Sequence, residues 1–582
     1  MEPGTEMAHG WLPRQHAWVP PLLVAAVIML AGLGSAPLWD RDEPRNAQCA
    51  AEMLARHDPI VPTFNGDLRT HKPPLLYWGQ MLAFQLLGVS AFSARLPSAL
   101  FGLASVIAVY RLARTFMTAV GAAWSAFALS TMLLMTMASR AATPDAALIA
   151  TTAWTITIWA GAAWRPRSPL PDDNGFYSLE PVPLSTARWC LVWSFSGLAA
   201  LAKGPVGIVL PMAIIGCCEW SRALSMDHHA TTVADRARRM LAGAWRALQS
   251  LHLPWAILSI ALVAGPWYLA VALATDGRWL HEFFFQHNMS RALQAMEGHT
   301  GPGPLFYVGA ILVGTFPWSA FALPVALRAW DLGRRHPRAR PMLILAATWI
   351  GLFVTAFSFA ATKLPSYVTP CYPALALIYG HWLWQVASQP QAAQPRWLLA
   401  GLGVGSAVGL AIVLALGGLS MPPLPELRPL VLVGFALLIG SLLGLALARR
   451  GQTQLAIRSY AVGAAIMVAL LFSIGPALAS RSRSDLTMLV ERFTKFPAEQ
   501  YVALGGGEPS WVFYAGRPIP ELGSNDLPEA VAALEAGHCV IARSEQARRL
   551  RQHCNGLGMP VEEIAAAPRF LEDDDLHLLR QR

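Results

Sequence analysis

The sequence contains few charged residues for its length. Only 14% of its 582 residues are Asp, Glu, Lys or Arg, whereas soluble domains carry about 25%. The hydrophobic fraction is 54%, and the mean hydropathy is +0.41. This scarcity of charge excludes an ordinary soluble chain and predicts a polytopic α-helical membrane protein.

Apolar runs of sufficient length predict about thirteen membrane-spanning helices. They lie near residues 17–38, 92–112, 118–138, 145–163, 189–202, 205–220, 253–275, 304–327, 342–361, 368–387, 397–419, 429–448 and 459–479. Pro73–Val89 is also apolar, but counting it as a span would move every later basic loop to the opposite face. We therefore predict a helix that lies at the membrane interface or dips into it.

Basic residues set the orientation of the bundle, because short loops rich in Lys and Arg stay in the cytoplasm. Arginines recur on alternate loops, from Arg111 and Arg114 to Arg449 and Arg450. This pattern predicts a cytoplasmic N-terminus, a first outer loop over residues 39–93 and a C-terminal tail on the outer side.

The tail, residues 480–582, is predicted to be a soluble α/β domain that follows the membrane domain, residues 1–479. Its 12 basic and 15 acidic residues give the tail a net charge of −3. Because the whole chain has a net charge of +9, the membrane domain has a net charge of +12. The basic balance therefore reports membrane topology and contact with lipids, and nucleic acid is not expected as a partner. The predicted elements are strands at Tyr501–Leu504, Trp511–Tyr514 and Cys539–Ala542, and helices at Glu529–Ala536 and Glu545–Arg551.

Cysteine is also scarce. The seven cysteines show no zinc-type spacing. Cys539 and Cys554 share the tail and are candidates for a disulfide in an oxidising compartment, with two free thiols as the alternative.

Lysine is rarer still, with four residues against forty arginines. Lys72, Lys203 and Lys363 each lie next to or close to a proline, and the predicted topology places all three at outer ends of spans. A lysine can bind a phosphate as a point charge, so these three are candidate phosphate ligands. Snorkelling to the interface is the alternative for Lys203 and Lys363.

Acidic residues follow the first apolar run directly. Asp40, Asp42 and Glu43 lie at the membrane boundary, where ionised groups are costly unless they have a partner or a function. We interpret this segment as part of a functional site. A helix N-cap is the alternative for Asp42, since Pro44–Arg56 is predicted to form a surface helix.

Further polar residues are predicted on the same face. Arg140 and Asp145 bracket an outer turn, either as site residues or as an ion pair that closes the turn. Tyr367 is a candidate hydroxyl donor or a member of an aromatic belt. The loop His281–Pro304 is rich in His and acidic residues, so it is either a polar cleft lining or a metal site.

Several motifs in the membrane domain are similar to those of one known family. They are Trp39–Arg45, Phe64–Gly66, His71–Trp78, Ala94–Ser98, Ala202–Gly204 and Lys363–Tyr367. Together they resemble bacterial 4-amino-4-deoxy-L-arabinose transferases (ArnT) and their relatives in the wider GT-C class, which includes the protein O-mannosyltransferases. The likeness covers the membrane domain end to end, and the tail resembles the periplasmic domain of these enzymes.

This resemblance implies an enzyme of the bacterial inner membrane. It would transfer a sugar from a polyprenyl phosphate, such as undecaprenyl phosphate, to lipid A or another lipid or glycan at the periplasmic face. Matching positions imply that Asp42 is the catalytic carboxylate and that cations bind the donor phosphate. The implied phosphate ligands are Arg45, Lys72, Lys203, Arg291 and Lys363, and the implied cavity residues are Asp40, Glu43, His71, Tyr77, Asp145, His287 and Tyr367.

Two positions depart from the family's pattern. His71 stands where many relatives carry Glu, and Asn46 stands where they often carry Tyr. No cofactor is certain. A divalent metal remains a candidate, with His71 and His299 as its candidate ligands.

Two other functions stay open at this level. The same chemistry with a protein or polysaccharide acceptor is one, and a flippase for a lipid-linked sugar is the other. A flippase is expected to have inverted repeats and charges near the membrane midplane. The sequence shows no such repeat, and its charges cluster at one face.

Overall fold

A computed structural model describes residues 16–225, 233–289, 303, 305–389, 395–417, 425–481, 483–569 and 572–582. Helices dominate the chain as far as Ser480. The first nine are α1 (Val19–Leu30), α2 (Asp42–Ala55), α3 (Leu75–Leu87), α4 (Ala91–Phe116), α5 (Ala119–Ser130), α6 (Leu133–Arg140), α7 (Asp145–Ala163), α8 (Thr186–Lys203) and α9 (Val206–Ser225). The next ten are α10 (Val233–Ser250), α11 (Leu253–Ala274), α12 (Arg278–His281), α13 (Phe306–Gly314), α14 (Ala322–Arg335), α15 (Arg340–Phe359), α16 (Tyr372–Ser388), α17 (Pro395–Gly417), α18 (Val431–Arg449) and α19 (Thr453–Ser480).

Short elements connect these helices. Two small antiparallel hairpins are β1 (Thr63–Phe64) with β2 (Asp67–Leu68), and β3 (Trp164–Pro166) with β4 (Leu179–Pro181). A π-helix covers Glu282–Met289, and 3₁₀ turns cover Trp318–Phe321, Pro337–Ala339, Pro365–Cys371 and Pro425–Leu430.

The predicted membrane-protein class is confirmed. Within the described residues, eight helices are long and apolar enough to cross a membrane: α4, α7, α9, α11, α15, α17, α18 and α19. The count rises to ten if each bent pair is one span, namely α5 with α6 (bent by 66°) and α13 with Trp318–Arg335 (bent by 111°). The other three predicted spans fall on α1, α8 and α16, which do not meet the same criteria of length and apolarity. The number thirteen therefore stays a prediction.

The first loop (residues 39–93) contains the two helices that the sequence predicts. The α3 helix has 13 residues, which corresponds to about 20 Å at 1.5 Å per residue and is shorter than a hydrocarbon core of about 30 Å. In α2, Asp42 is the first helical residue, and Arg41 occupies the N-cap position without a side-chain capping bond. The capping interpretation of Asp42 is therefore wrong.

A buried ion pair anchors the start of α2. The Glu43 carboxylate accepts hydrogen bonds from Arg95 Nε (2.8 Å) and Nη2 (2.6 Å), and from the backbone N–H groups of Trp39 and Ala142 (2.7 Å each). Arg95, in α4, also donates to the carbonyl oxygens of Leu33, Ala36 and Pro37. One pair of side chains thus connects the end of the first apolar segment, α2, α4 and the turn before α7.

The tail contains one mixed five-stranded sheet in the order β6-β5-β7-β9-β8. Its elements are α20 (Ser484–Lys495), β5 (Tyr501–Leu504), α21 (Pro509–Ala515), β6 (Glu521–Leu522), α22 (Leu527–Glu535), β7 (Cys539–Arg543), α23 (Ser544–Gly556), β8 (Val561–Pro568) and β9 (Asp575–Gln581). The β5 strand is parallel to β6 and β7, with Tyr501 opposite Cys539, and β9 is antiparallel to β7 and β8. The predicted α/β class of the tail agrees with this sheet.

One predicted strand in the tail is wrong. Trp511–Tyr514 lies in α21, which begins at Pro509 and ends before Gly516 in a left-handed conformation (φ +65°). Proline at the first helical position and glycine just after the last one favour this short helix. Its aromatic residues are buried on two sides, since Trp511 packs on the sheet while Phe513 packs on the first loop, so they lack the alternation of a strand.

The proposed disulfide is not present, because Cys539 and Cys554 are both free and buried. Side chains of successive strand residues point to opposite faces of a sheet. Cys539 belongs to the apolar cluster on one face of the sheet, and Cys554 belongs to the cluster on the other. The sheet therefore separates the two thiols.

The tail is docked on the first loop. Asp40 forms an ion pair with Arg483 (2.9 Å) and accepts a hydrogen bond from the Ser510 N–H (2.9 Å). Asn65 exchanges two hydrogen bonds with the backbone of Ile519 (2.8 and 2.9 Å). The Tyr514 hydroxyl also accepts a hydrogen bond from the N–H of Leu38, just before the loop (2.8 Å). These contacts place the tail sheet beside the start of α2.

We expect Arg95→Met to lower the free energy of unfolding by about 3–5 kcal/mol, because it leaves the Glu43 carboxylate buried without a counter-charge. The double variant Glu43→Gln/Arg95→Met should be more stable than Arg95→Met alone. Unfolding of the purified protein in detergent, followed by circular dichroism, measures both effects. The exposed Arg338→Met is the control, and a loss as small as that of the control would contradict the anchoring role of the pair.

Candidate active site

The first turn of α2 directs the adjacent carboxylates of Asp42 and Glu43 to different surroundings. Successive helical residues point about 100° apart, so the burial of Glu43 turns Asp42 in another direction. Asp42 is exposed, and it lines a polar cavity of about 170 Å³. Within the described part of the chain, no hydrogen bond or ion pair engages its side chain.

The walls of this central cavity come from four parts of the chain: the first loop, the turn before α7, the end of α8 and the segment before α16. The lining residues are Asp42, Arg45, Asn46, Arg69, His71, Lys72, Thr143, Pro144, Asp145, Lys203, Thr362, Leu364, Ser366 and Tyr367. Seven of the predicted site residues are among them: Asp42, Arg45, His71, Lys72, Asp145, Lys203 and Tyr367.

Asp145 and Lys203 form an ion pair across the cavity wall. Asp145 is the first residue of α7 and Lys203 is the last of α8, so two packed helices bring their ends together. The Lys203 Nζ lies 2.5 Å from Asp145 Oδ1, and Thr143 Oγ1 donates to Asp145 Oδ2 (3.0 Å). Lys203 also lies over the Tyr367 ring, 5.5 Å from its centroid.

Arg69 is a cavity residue that the sequence analysis did not identify. Its Nη2 donates to Asn46 Oδ1 and its Nε donates to the Tyr77 hydroxyl, both at 3.1 Å. Burial raises the pKa of Tyr77 above its ordinary value, so the phenol stays neutral and accepts this bond. Asn46 also donates to the carbonyl of Ala142 (3.0 Å), so its amide both accepts from Arg69 and donates to the turn before α7.

The central cavity has an excess of positive charge. Its wall carries four cations and two carboxylates, a net charge of +2 with neutral histidine. Asp145 is neutralised by Lys203, so Asp42 is the carboxylate that faces the cavity with no ion-pair partner among the described residues. This arrangement suits an anionic ligand next to a carboxylate that can orient a hydroxyl group or take its proton.

An adjoining cavity of about 150 Å³ is more apolar. It shares His71, Lys72, Lys203, Thr362 and Tyr367 with the central cavity. Its remaining walls are mainly apolar, from Pro73, Leu148, Val206, Phe283, Phe357 and Ala360, and they include His287. A ligand with a charged head and a hydrocarbon chain fits this pair of cavities.

His71 and His287 lie against each other with their ring centroids 3.9 Å apart. His287 Nε2 is 3.0 Å from the Thr70 hydroxyl, which also donates to Glu282 (3.0 Å). Among the described residues, no group of three His, Cys, Asp or Glu side chains is arranged to hold a metal ion. The two imidazole rings are tilted by 31° to each other, and two such rings alone do not make a metal centre.

Several predicted site residues lie away from the central cavity. Glu43 is paired with Arg95, Asp40 with Arg483, and Tyr77 is buried behind Arg69. Lys363 donates to the carbonyl of Ala360, three residues earlier in the chain (2.8 Å). Arg291 and His299 lie outside the described residues.

The chain has relatives among known proteins. Residues 71–169 match a family described as dolichyl-phosphate-mannose-protein mannosyltransferase. The undecaprenyl phosphate-α-4-amino-4-deoxy-L-arabinose arabinosyl transferase of Enterobacter sp. is 26% identical over 433 residues, 73% of this chain and 70% of the relative. The enzyme of that name from Erwinia tasmaniensis is 28% identical over 437 residues, with the same two coverages.

Solved structures share the fold. The crystal structure of ArnT from Cupriavidus metallidurans bound to undecaprenyl phosphate superposes with a TM-score of 0.75 at 20% identity. The match covers 97% of this chain and 98% of that one. The apo state of the same protein gives a TM-score of 0.72 with the same coverage.

The relatives with similar sequences are named as membrane glycosyltransferases, and the chain shares the fold of one whose structure is solved. Within that class the chain is an ArnT-like protein. The family resemblance of its motifs is therefore confirmed.

We expect Asp145 and Lys203 to act as a unit. Asp145→Ala and Lys203→Met should each impair transfer, and the double variant should be less impaired than the sum of the two, with a coupling energy of about 0.5–3 kcal/mol. Steady-state turnover of the purified protein measures this cycle. The exposed pair Glu545 and Arg548 is the control, where coupling of about 0–1 kcal/mol is expected for stability. Additive losses at Asp145 and Lys203 would show that the pair does not act on one ligand.

Proposed function

We propose that the protein transfers 4-amino-4-deoxy-L-arabinose or a related sugar from undecaprenyl phosphate to an acceptor at the periplasmic face of the bacterial inner membrane. Lipid A is the primary acceptor in this proposal, and another lipid or glycan is the second. The names of the Enterobacter and Erwinia relatives support the donor. The observation that carries the proposal is the Asp42 carboxylate, which faces four cations without a partner of its own among the described residues.

The cations are proposed to bind the donor phosphate. The central cavity is lined by four cations, Arg45, Arg69, Lys72 and Lys203. The hydrocarbon chain of the carrier would extend into the adjoining apolar cavity beside Phe283. During transfer, the bond between the sugar anomeric carbon and the phosphate oxygen breaks. The electron pair stays on the polyprenyl phosphate, and the cations stabilise this leaving group.

Asp42 is proposed to act on the acceptor. If the acceptor group is a hydroxyl, its oxygen attacks the anomeric carbon and its proton passes to the Asp42 carboxylate. If the acceptor group is a phosphate, its oxygen is already anionic, and Asp42 serves to orient it. In both cases the new bond joins the acceptor oxygen to the anomeric carbon.

The distribution of arginines supports one orientation of the protein in the membrane. We propose a cytoplasmic N-terminus and a periplasmic tail, so that the first loop, the central cavity and the tail share the periplasmic side. We also propose residues 1–479 as the membrane domain and 480–582 as the soluble domain. The chain between α19 and α20 is the boundary that this division uses.

We expect Asp42→Asn to lower transfer by about 10²–10⁴-fold, because the amide cannot take a proton from the acceptor. Mass spectrometry of lipid A and glycolipids from cells with the gene deleted, restored or carrying the variant measures this loss. Asp173→Asn, which removes a charge from an exposed loop, is the control and should keep wild-type modification.

Each other outcome is informative. Near-wild-type transfer by Asp42→Asn would contradict its catalytic role. Unchanged lipid A together with glycosylated protein or polysaccharide would replace the acceptor. Sugar-linked carrier that accumulates on the cytoplasmic side of the deletion strain would favour the flippase.

A further inference from the structure

A second polar cavity lies at the seam between the first loop and the tail. We call it the seam cavity, and its volume is about 600 Å³. Five arginines line it: Arg41, Arg45, Arg483, Arg543 and Arg569. Four acidic residues, Asp40, Asp485, Glu508 and Glu572, are also on its wall.

Ion pairs neutralise most of these acids. Arg483 is paired with Asp40 (2.9 Å), and Arg569 is paired with Glu508 (2.9 Å) and with Glu572. By contrast, the structure shows no hydrogen bond or ion pair of the Arg41 and Arg543 guanidinium groups within the described residues. Two cations of the seam cavity are therefore available to an anion.

The tail topology places Arg543 at a position where α/β sheets bind ligands. The strands β5 and β7 are neighbours, and the helices that follow them pack on opposite faces, α21 with Tyr501 and α23 with Leu504. Where the helices after two neighbouring parallel strands pack on opposite faces of the sheet, a crevice opens outside the carboxyl ends of those strands. Arg543 ends β7, and the loop after β5 enters the same crevice with Gly506 at φ +99°.

Asp485 supplies an independent indication of a ligand. It lines the seam cavity and is only 5% exposed. Its Oδ1 is buried and has no hydrogen-bond partner in the parts of the chain that the structure describes. A buried carboxylate oxygen without a donor is costly, and a ligand hydroxyl would satisfy it.

The seam cavity also adjoins the central cavity. Arg45 lines both, and Arg41 immediately precedes Asp42 in the chain. A group bound in the seam cavity would therefore lie beside the carboxylate that is proposed to handle the acceptor.

We propose that the seam cavity binds the phosphorylated sugar headgroup of the acceptor, with Arg41 and Arg543 on its phosphate and Asp485 on a sugar hydroxyl. This inference rests on the proposed function, because it names the place where that reaction's acceptor binds. It gives the tail a direct role in acceptor recognition. The phosphate lies at Arg41 and Arg543, and the hydroxyl donates to Asp485 Oδ1, so each group meets a partner of suitable charge.

Binding of a soluble phosphosugar tests this site without turnover. We would titrate glucosamine 1-phosphate into the full-length protein in detergent, with undecaprenyl phosphate present in excess to fill the donor site. Arg543→Gln should weaken binding about ten-fold or more, since it removes a charged hydrogen-bond donor. Arg548→Gln removes the same charge from the exposed face of α23 and should bind like the wild type.

Two comparisons sharpen the result. Arg543→Lys should bind more tightly than Arg543→Gln, and inorganic phosphate and glucosamine should each bind more weakly than glucosamine 1-phosphate. In the transfer assay, Arg543→Gln should raise KM for the acceptor about ten-fold while KM for the donor stays unchanged. A merely structural role for Arg543 would instead lower the thermal stability and alter both KM values.

The outcomes also separate this site from the proposed function. Phosphosugar affinity that is equal in Arg543→Gln, Arg548→Gln and wild type would overturn the seam site. In Asp42→Asn, phosphosugar binding should still depend on Arg543, because Asp42 does not line the seam cavity. Full transfer activity of Asp42→Asn would overturn its catalytic role, whereas Arg543-dependent binding in that variant would still support the seam site.

Discussion

The buried pair of Glu43 and Arg95 is the contact on which the site depends. Removing two charges from water is expensive, and the cost is offset only when geometry is good and the remaining hydrogen bonds are made. Here both carboxylate oxygens accept two bonds each, and Arg95 donates to three further carbonyls. The pair thereby joins the first loop to α4 and to the turn before α7. Because Glu43 is fixed in this way, the neighbouring Asp42 is held on the cavity side of the first helical turn.

The remaining charges divide into those that hold the structure and those that face a ligand. Asp40 with Arg483 docks the tail, and Asp145 with Lys203 closes the ends of two helices. Asp42 differs from these acids in having no such partner within the described chain. A carboxylate that already accepts several hydrogen bonds has little capacity left for a substrate, whereas an unengaged one beside cations can respond to it. The distribution of partners, more than the number of charges, therefore distinguishes the candidate catalytic acid from its neighbours.

Much of the fold and part of the site could be predicted from the sequence. The apolar runs predicted the membrane class. The family resemblance of the motifs implied that Asp42, Arg45 and Lys72 belong to one site, and all three line the central cavity. The sequence could not show that Glu43 is buried, since its partner Arg95 is 52 positions away. Arg69 was missed for the same reason, because its role depends on contacts with Asn46 and Tyr77 that only the folded loop creates. Trp511–Tyr514 was misassigned because burial on two sides removes the periodicity that separates a short helix from a strand.

Contacts with the tail hold the first loop in position. Its hydrogen bonds to Leu38, Asp40 and Asn65 restrain the loop at three points on both sides of α2, and the aromatic ring of Phe513 fills the apolar cluster beneath that helix. Without the tail, this loop of more than fifty residues would be held only by contacts with the membrane domain, such as those of Glu43 with Arg95 and of Arg69 with Trp279. Fixing the loop in advance lowers the ordering cost of ligand binding, because the charged groups are already in place when the ligand arrives. Arg45, which lies where the central and seam cavities meet, is held by the same loop, so the position of the tail and the geometry of the site are mechanically linked.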